Sequence, residues 1–133
     1  NGSGKTTLIR LLSGIFSPTS GSLKLKQYAM PLIDKSFFID LDLSGYDACK
    51  AQYLRYAYKD LKFNDFIKSI EEFSELGDFL STPISTYSEG MKTRLTFALI
   101  TSFSHPLLAM DEGIATGDRF FINKAIKRFD KFF

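Results

Sequence analysis

The sequence has little of the residue types that mark several common protein classes. Its 133 residues include one cysteine, Cys49, and one histidine, His105. A single cysteine forms no internal disulfide, and no cluster of cysteine and histidine suggests a zinc site. No apolar run approaches the ~20 residues that a membrane-spanning helix requires. These residues therefore carry no disulfide framework, zinc site or transmembrane helix, and a cytosolic environment fits them.

The charge of the chain is nearly balanced, with 17 basic and 15 acidic residues and a net charge of +2. The basic residues are scattered and form no stripe, so we expect no nucleic-acid partner. Aromatic residues make up 15% of the chain, and most of them are phenylalanine. That content is sufficient for a packed core, and the length corresponds to about one domain.

The first seven residues read N-G-S-G-K-T-T, the closing part of a phosphate-binding loop, G-x-x-x-x-G-K-[ST]. Small residues let backbone N–H groups point inward at a polyphosphate, and the helix that follows adds the positive end of its dipole. The lysine charge reaches the β- and γ-phosphates, and the threonine hydroxyl can ligate Mg²⁺. The predicted nucleotide-binding residues are Asn1, Gly2, Ser3, Gly4, Lys5, Thr6 and Thr7.

Two further points concern this opening stretch. Taken alone, it could also be a Gly/Ser turn before a helix, so the remaining motifs must decide. The first glycine of the loop would lie two positions before Asn1, and the chain has no initiator methionine. We therefore expect a fragment of a longer protein.

Apolar spacing predicts the elements of the first third of the chain. Leucines and isoleucines at i, i+3, i+4 and i+7 predict a helix from about Lys5 to Ser13, which Gly14 ends. Alternation predicts a short strand over 22–26, and a second strand, weakened by a proline, over 28–33.

The middle of the chain is predicted to be helical. Helices are expected over 45–58 and 63–76, the second with Gly77 as its C-cap. The first carries a stripe of Tyr46, Cys49, Tyr53 and Tyr56, which we interpret as core in preference to a docking surface. Residues 81–87 are expected to be a loop. A third helix from Ser88 to about Ser102 is expected to turn one face inward, formed by Met91, Leu95, Ala98 and Ser102.

An apolar run and a pair of carboxylates follow this helical region. Leu107 to Met110 is continuously apolar, which suits a strand buried on both faces of a parallel sheet. Asp111 and Glu112 come directly after it, at the strand edge where α/β sheets bind ligands. The last helix is predicted from Asp118 onward, with four apolar residues inward, namely Ile122, Ile126, Phe129 and Phe133.

Three stretches now stand in one order: G-S-G-K-T-T, then Y-S-E-G-M opening a helix, then L-L-A-M-D-E with Asp118 six residues beyond Glu112. Their order and spacing resemble the ATP-binding subunits of ABC transporters, in which the second stretch is the signature motif and the third is Walker B with the catalytic glutamate. A narrower resemblance rests on P-x-x-T-Y-S-x-G-M, E-F-S-E-L-G and D-E-G-I-A-T-G-D. These segments are similar to the ATP-binding component of exporters for bacterial surface polysaccharides: O-antigen, capsule or teichoic acid.

The resemblance implies an ATPase that uses Mg²⁺. Thr6 and Asp111 would hold the metal, and Glu112 would orient or deprotonate the attacking water as the catalytic residue. Two copies would face each other, and the signature residues of one would close over ATP bound to the other. These residues are Ser88, Glu89, Gly90 and Met91. Asp118, in the D-loop, would lie at the seam between the copies.

The sequence departs from the wider family at three places. Glu89 replaces a small residue of the signature, so we expect its side chain to point away from the γ-phosphate, with Ser88 and the Gly90 N–H making the contact. The loop over 34–38 has no glutamine. The switch histidine of the family should lie farther past Glu112 than the residues that remain, so we expect it beyond Phe133. His105 precedes Walker B and is not that residue.

The resemblance also implies the fold and the partners. The expected fold is α/β, a P-loop NTPase of the ABC ATPase type with a mostly parallel sheet. Residues 1–42 and 103–133 would form its core, and residues 43–102 an inserted helical subdomain. The expected partners are a transmembrane permease and a second copy of the chain, at the cytoplasmic face of the bacterial inner membrane.

Two other classes share parts of this pattern. One is a soluble ABC-type ATPase of translation or DNA repair. Lys5 and Ser88 are too close in sequence to enclose the long coiled coil of the repair type, but the two-unit translation type stays open. The other is a P-loop kinase, which lacks the S-x-G-M helix.

Overall fold

The structure is a computed structural model that describes residues 4–26, 28–32, 40–55, 61–102, 108–110 and 119–129. The chain divides into two compact units. The first comprises residues 1–34 and 105–116, and the second comprises residues 35–104 and 117–133. The second unit thus includes the end of the chain, which the sequence reading groups with the core. How the intact domain divides stays a prediction.

Helix α1 of the first unit runs over Lys5–Leu12. The Ser13 N–H donates to the carbonyl of Ile9 at 3.0 Å, and Gly14 follows with a φ of 70°. A glycine adopts this left-handed conformation without steric cost, so it ends the helix close to the predicted position. The predicted helix and its glycine stop are confirmed.

Two strands of the first unit pair in parallel: β1 over Met30–Leu32 and β2 over Leu108–Met110. Their register sets Met30 opposite Leu108 and Leu32 opposite Met110. The buried Ala29, just before β1, donates its N–H to the carbonyl of Leu12 at 3.0 Å, which joins the strand to the end of α1. Both strands were predicted, over slightly longer ranges. The described part of the sheet has two strands, so a larger, mostly parallel sheet stays a prediction.

The strand predicted over residues 22–26 is wrong. These residues are irregular, and Leu23 is 42% exposed. Alternation alone does not make a strand, because the backbone must also pair with a neighbour. No such pairing reaches residues 22–26 from the part of the chain that the structure describes.

The second unit is built from helices. They are α2 over Gly45–Arg55, α3 over Phe63–Ser74, α4 over Glu89–Ile100 and α5 over Arg119–Phe129. Apolar side chains at helical spacing fill the core between them. The predicted stripe on α2 does contribute to this core, since Cys49 is fully buried, although Tyr46 is 43% exposed and Tyr56 lies outside the described residues. The most deeply buried large side chains include Phe66, Ile70, Ile84 and Leu95.

Helix α4 is buried more completely than the sequence indicates. Leu95 and Ala98 of the predicted face are buried, but so is every residue from 95 to 100. Its threonines satisfy their hydroxyls within the helix: Thr93 donates to the carbonyl of Glu89 and Thr96 to that of Lys92, both at 2.8 Å. Polar side chains can therefore lie in this interior without an unpaired donor.

The end of α3 also differs from the prediction. The C-cap is Glu75, with a φ of 56°, and not Gly77. Gly77 begins a short 3₁₀ helix over Gly77–Ser81. A second 3₁₀ helix, Ile84–Thr86, lies within the predicted loop. A side chain seldom takes a left-handed conformation, so sequence alone assigns this position to the glycine.

Helix α5 begins one residue after the predicted start. Phe121 and Ala125 are buried along it. The side chains predicted to point inward, Ile122, Ile126, Phe129 and Phe133, lie outside the described part of the structure. None of the helices in the described residues is long and apolar enough to span a membrane.

Candidate functional site

The predicted phosphate-binding loop leads into the N-terminus of α1. Gly4 precedes the helix with φ 78° and ψ 6°, a left-handed conformation that glycine adopts without strain. A Cβ atom built on Gly4 would meet nothing within 4 Å, so the backbone conformation, and not crowding, favours glycine here. The Gly4 carbonyl accepts the first helical hydrogen bond, from the Leu8 N–H at 2.8 Å.

The first turn of α1 directs its backbone N–H groups toward this end of the helix. Among the described residues no side chain caps it, and its first turn contains no acidic residue. The N-terminus of a helix attracts anions because its backbone N–H groups and the positive end of its dipole point outward there. The turn carries Lys5 and Thr7, both exposed, and Thr6, which is half-buried. The structure thus brings Gly4, Lys5, Thr6 and Thr7 together, while Asn1, Gly2 and Ser3 lie outside the described residues.

The predicted signature forms the N-terminus of α4. Ser88 is the N-cap, in an extended conformation, and its Oγ accepts a hydrogen bond from the Met91 N–H at 3.2 Å. This is the usual contact of a serine N-cap. Glu89 and Gly90 are exposed on the first turn. The Glu89 carboxylate accepts from Lys92 Nζ at 3.1 Å along the helix; that it turns away from a γ-phosphate stays a prediction.

Tyr87, to which the sequence analysis assigned no role of its own, packs beneath the first turn of α4 through contacts with Phe79 and Gly45. Tyr87, directly before Ser88, is buried, and its hydroxyl donates to the Phe79 carbonyl at 2.5 Å. Burial is the main reason that the pKa of the Tyr87 phenol lies above its usual value. The hydroxyl lies so near Gly45 that a Cβ there would overlap it. Tyr87 thus anchors the signature to the start of α2.

The third predicted set of residues follows β2. Asp111 and Glu112 come directly after Met110, the last residue of this strand, and Asp118 directly precedes α5. All three lie outside the described residues. What the structure does give is the parallel pairing of β2 with β1 and the packing of α1 against β2 within the first unit. The strand that leads to Asp111 and the helix that begins at Lys5 therefore belong to one compact unit.

Neither a metal cluster nor a reactive thiol is found in the residues that the structure describes. No group of three or more histidine, cysteine, aspartate or glutamate side chains could hold a metal there. Burial, followed by the nearby Glu71 carboxylate, raises the pKa of Cys49 to about 12. Its thiol stays protonated near neutral pH, which disfavours it as a nucleophile.

Several known proteins resemble this chain. The teichoic acids export ATP-binding protein TagH of Bacillus cereus is 36% identical over 132 residues, which are 99% of this chain and 24% of that protein. The O-antigen export system ATP-binding protein RfbE of Yersinia enterocolitica is 40% identical over 128 residues, 96% of this chain and 54% of that protein. RfbB of Myxococcus xanthus, also named for O-antigen export, is 36% identical over 128 residues, 96% of this chain and 29% of that protein.

These matches extend over nearly the whole of this chain, but the chain spans only about a quarter to a half of the length of these relatives. The sequence profile of the family described as ABC transporter matches residues 1–115. This range includes the phosphate-binding loop, the signature and the two carboxylates after β2. The resemblance drawn from the motifs is confirmed: the chain belongs to the ABC transporter family.

Proposed function

We propose that the chain is part of an ATPase that powers export of a bacterial surface polysaccharide, such as O-antigen, capsular polysaccharide or teichoic acid. The observation that carries ATP binding is the left-handed Gly4 directly before α1, with Lys5 and Thr6 in the first turn. The proposal that the exported substrate is a polysaccharide rests on the names of the relatives, which are exporters of O-antigen and teichoic acids. These names do not favour the alternative of a soluble ATPase of translation or DNA repair.

In this proposal the β- and γ-phosphates of ATP lie against the N-terminus of α1. Backbone N–H groups of the loop and of the first turn donate to the phosphate oxygens, and the Lys5 ammonium neutralises part of their charge. Asn1, Gly2 and Ser3 complete the loop. Because the glycine conformation sets the direction of the chain as it enters the helix, the amides are oriented before ATP arrives, which lowers the entropy lost on binding.

The donor set fits Mg²⁺. Thr6, a half-buried residue, offers a hydroxyl on the first turn, and Asp111 offers a carboxylate after β2. Magnesium prefers hard oxygen ligands and is commonly held by one or two protein oxygens together with phosphates and water. The ion supplies charge neutralisation of the β- and γ-phosphates when it is bound.

Glu112 is the proposed catalytic residue. Its carboxylate orients or deprotonates a water molecule, whose oxygen forms a bond to the γ-phosphorus. The bond between that phosphorus and the bridging oxygen breaks, so ADP and inorganic phosphate leave. Such a transfer depends mainly on positioning and charge, so the protein residues need only hold the reactants in line.

The complete site would contain two copies of the chain. Ser88, Glu89, Gly90 and Met91 of one copy would close over ATP held at Lys5 of the other, and Asp118 would lie at the seam. A parallel sheet with residues 43–102 inserted as a helical subdomain would carry both surfaces. A transmembrane permease would hold the pair at the cytoplasmic face of the inner membrane and would use closure of the dimer to move polymer.

The test uses the full-length protein with its permease in a cell that makes the polymer. Glu112→Gln should retain ATP binding but reduce turnover by roughly 10²-fold or more, because it removes the base and keeps the shape. Polymer should then disappear from the cell surface and accumulate inside. Normal turnover in this variant would remove Glu112 from catalysis. A loss of ATP hydrolysis with unchanged surface polymer would separate the ATPase from polysaccharide export.

A further inference from the structure

Three helices of the second unit meet at one acidic residue. Lys124, on α5, donates from its Nζ to the carbonyls of Glu72 at 3.1 Å and Phe73 at 2.9 Å, and to Glu75 Oε1 at 2.5 Å. Arg94, on α4, places its guanidinium 3.7 Å from Glu75 Oε2. Glu75 is the C-cap of α3. We call Glu75, Arg94 and Lys124 the Glu75 junction.

The contacts of Lys124 explain why a cation stands at this place. The last carbonyls of a helix have no partner within it, and the C-terminal end of its dipole is negative. The Lys124 ammonium donates hydrogen bonds to two of these carbonyls and to the carboxylate beside them, and its positive charge lies at the negative end of the dipole. Lys124 of α5 thus binds carbonyls at the end of α3 in addition to the local C-cap, Glu75.

An aromatic cluster lies beneath the Glu75 junction and joins the same three helices. Phe121 of α5 packs edge-on against Phe73 of α3, with ring centroids 5.2 Å apart, and against Phe97 of α4 at 6.1 Å. The cations of the junction lie over these rings: Arg94 over Phe121 at 5.6 Å and Lys124 over Phe73 at 5.3 Å. Charge and packing therefore hold α5 against both α3 and α4.

The backbone conformation of Glu75 is one that favours glycine. Its φ of 56° lies in the left-handed region, where glycine is favoured and a side chain is strained. A glycine would form this cap with less strain. The Glu75 carboxylate makes two contacts that a glycine could not make, and the two cations in these contacts belong to two other helices.

The two helices joined in this way each begin at a predicted site residue. Helix α4 begins directly after Ser88, and α5 begins directly after Asp118. We propose that the Glu75 junction is a positioning device that fixes α4 and α5 relative to each other, so that the signature and the D-loop meet the second copy of the chain together. This inference rests on the proposed function, since it needs ATP bound between two copies.

The junction acts through other residues, so its loss should change turnover and not nucleotide affinity. In the full-length protein, Lys124→Met and Glu75→Gly should each lower the turnover of ATP hydrolysis by roughly tenfold or more, because small misplacements of reacting groups have large effects on rate. The affinity for ATP, measured by calorimetry, should be unchanged, because Lys5 and its loop belong to the other unit. Lys124→Arg should keep turnover close to that of the wild type, in contrast to Lys124→Met, because arginine keeps the positive charge.

Two comparisons separate positioning from general damage. Lys127→Met removes an exposed charge from the same helix and should leave turnover unchanged. Glu75→Gly relieves the strained cap, so a merely structural cap would keep or gain stability and activity in this variant. Equal turnover of Glu75→Gly and wild type, or a parallel loss of affinity and turnover, would overturn the proposal. A wild-type protein that neither binds nor hydrolyses ATP would instead refute the proposed function.

Discussion

Gly45 is the residue whose substitution tests the support of the signature most directly. It is the buried first residue of α2, and its N–H donates to the Thr82 carbonyl at 3.3 Å. A Cβ at this position would overlap Tyr87 Oη and would lie 3.0 Å from Leu80 Cδ2 and 3.2 Å from Leu80 Cα. Gly45→Ala therefore adds one methyl group where both a hydrogen-bonded phenol and the backbone of Leu80 stand in the way.

The size of the effect follows from three contributions. Overpacking by one methyl group in a tight interior destabilises by ~1–3 kcal/mol. Displacement of the Tyr87 hydroxyl from the Phe79 carbonyl would lose a hydrogen bond worth about 1 kcal/mol. Alanine in place of glycine in a helix contributes up to about 1 kcal/mol in the other direction. We expect Gly45→Ala to lower the free energy of unfolding by about 1–3 kcal/mol.

Urea-induced unfolding of the full-length protein would measure this change. Gly90→Ala is the matched control for stability, because a Cβ at Gly90 would come no closer than 3.8 Å, to Ser88 Oγ. This variant should be as stable as the wild type or slightly more stable. In the double variant Gly45→Ala/Tyr87→Phe the phenol oxygen is gone, so the two substitutions should destabilise by less than the sum of the single variants. If Gly45→Ala were as stable as the wild type, the packing of Tyr87 against α2 would be incorrect.

Two further predictions concern Lys5 and Cys49. Lys5→Ala should weaken ATP binding itself, because in the proposed site it removes a charge that would face the phosphates. An unchanged affinity by calorimetry would mean that the loop is only a turn. The raised pKa of Cys49, about 12 against 9.0 for a free thiol, lets the folded protein keep a proton that the unfolded chain loses above pH 9. The free energy of unfolding should therefore fall as the pH rises above 9, by about 1.4 kcal/mol per pH unit from this group. Cys49→Ala should make that fall shallower in urea titrations at pH 8 to 10.5, and an identical slope would contradict the burial of the thiol.

Much of the fold could be predicted because its signals are local. Helices α2 and α3 bury residues at helical spacing, and the glycine after α1 marks its end, so each appears in the sequence as a pattern of a few residues. The apolar run of β2 is equally local. The prediction of a strand over 22–26 was wrong, because a strand depends on a partner that can be far away in sequence. The prediction of Gly77 as the C-cap of α3 was wrong for a similar reason. The C-cap is Glu75, whose stabilising contacts come from Arg94 and Lys124 on other helices.

The residues of the candidate site also differ in how far they could be predicted, according to whether their contacts are local in sequence. Gly4, Lys5 and Ser88 were predicted because their chemistry depends on neighbours within one loop or one helical turn. The support for Ser88 was not predicted, since Tyr87 touches Gly45 across a wide separation in sequence. The glycine itself was the available signal, because a glycine at the start of a helix can mark a close approach of another group. A resemblance between sequences predicts which residues react, but it does not predict the contacts that hold those residues in place.

The N-cap role of Ser88 complicates the usual way of testing a signature serine. Its Oγ already accepts the Met91 N–H, so one lone pair serves the helix while the hydroxyl proton remains to be donated elsewhere. An alanine at this position removes both at once, and the loss of the cap alone destabilises by ~0.5–2 kcal/mol. A drop in activity could then come either from fraying of the helix or from loss of the proposed phosphate contact. Threonine keeps the cap and the hydroxyl, whereas aspartate keeps the cap but would repel the phosphate that the proposed site binds. The three substitutions compared can separate the architecture of this turn from its chemistry.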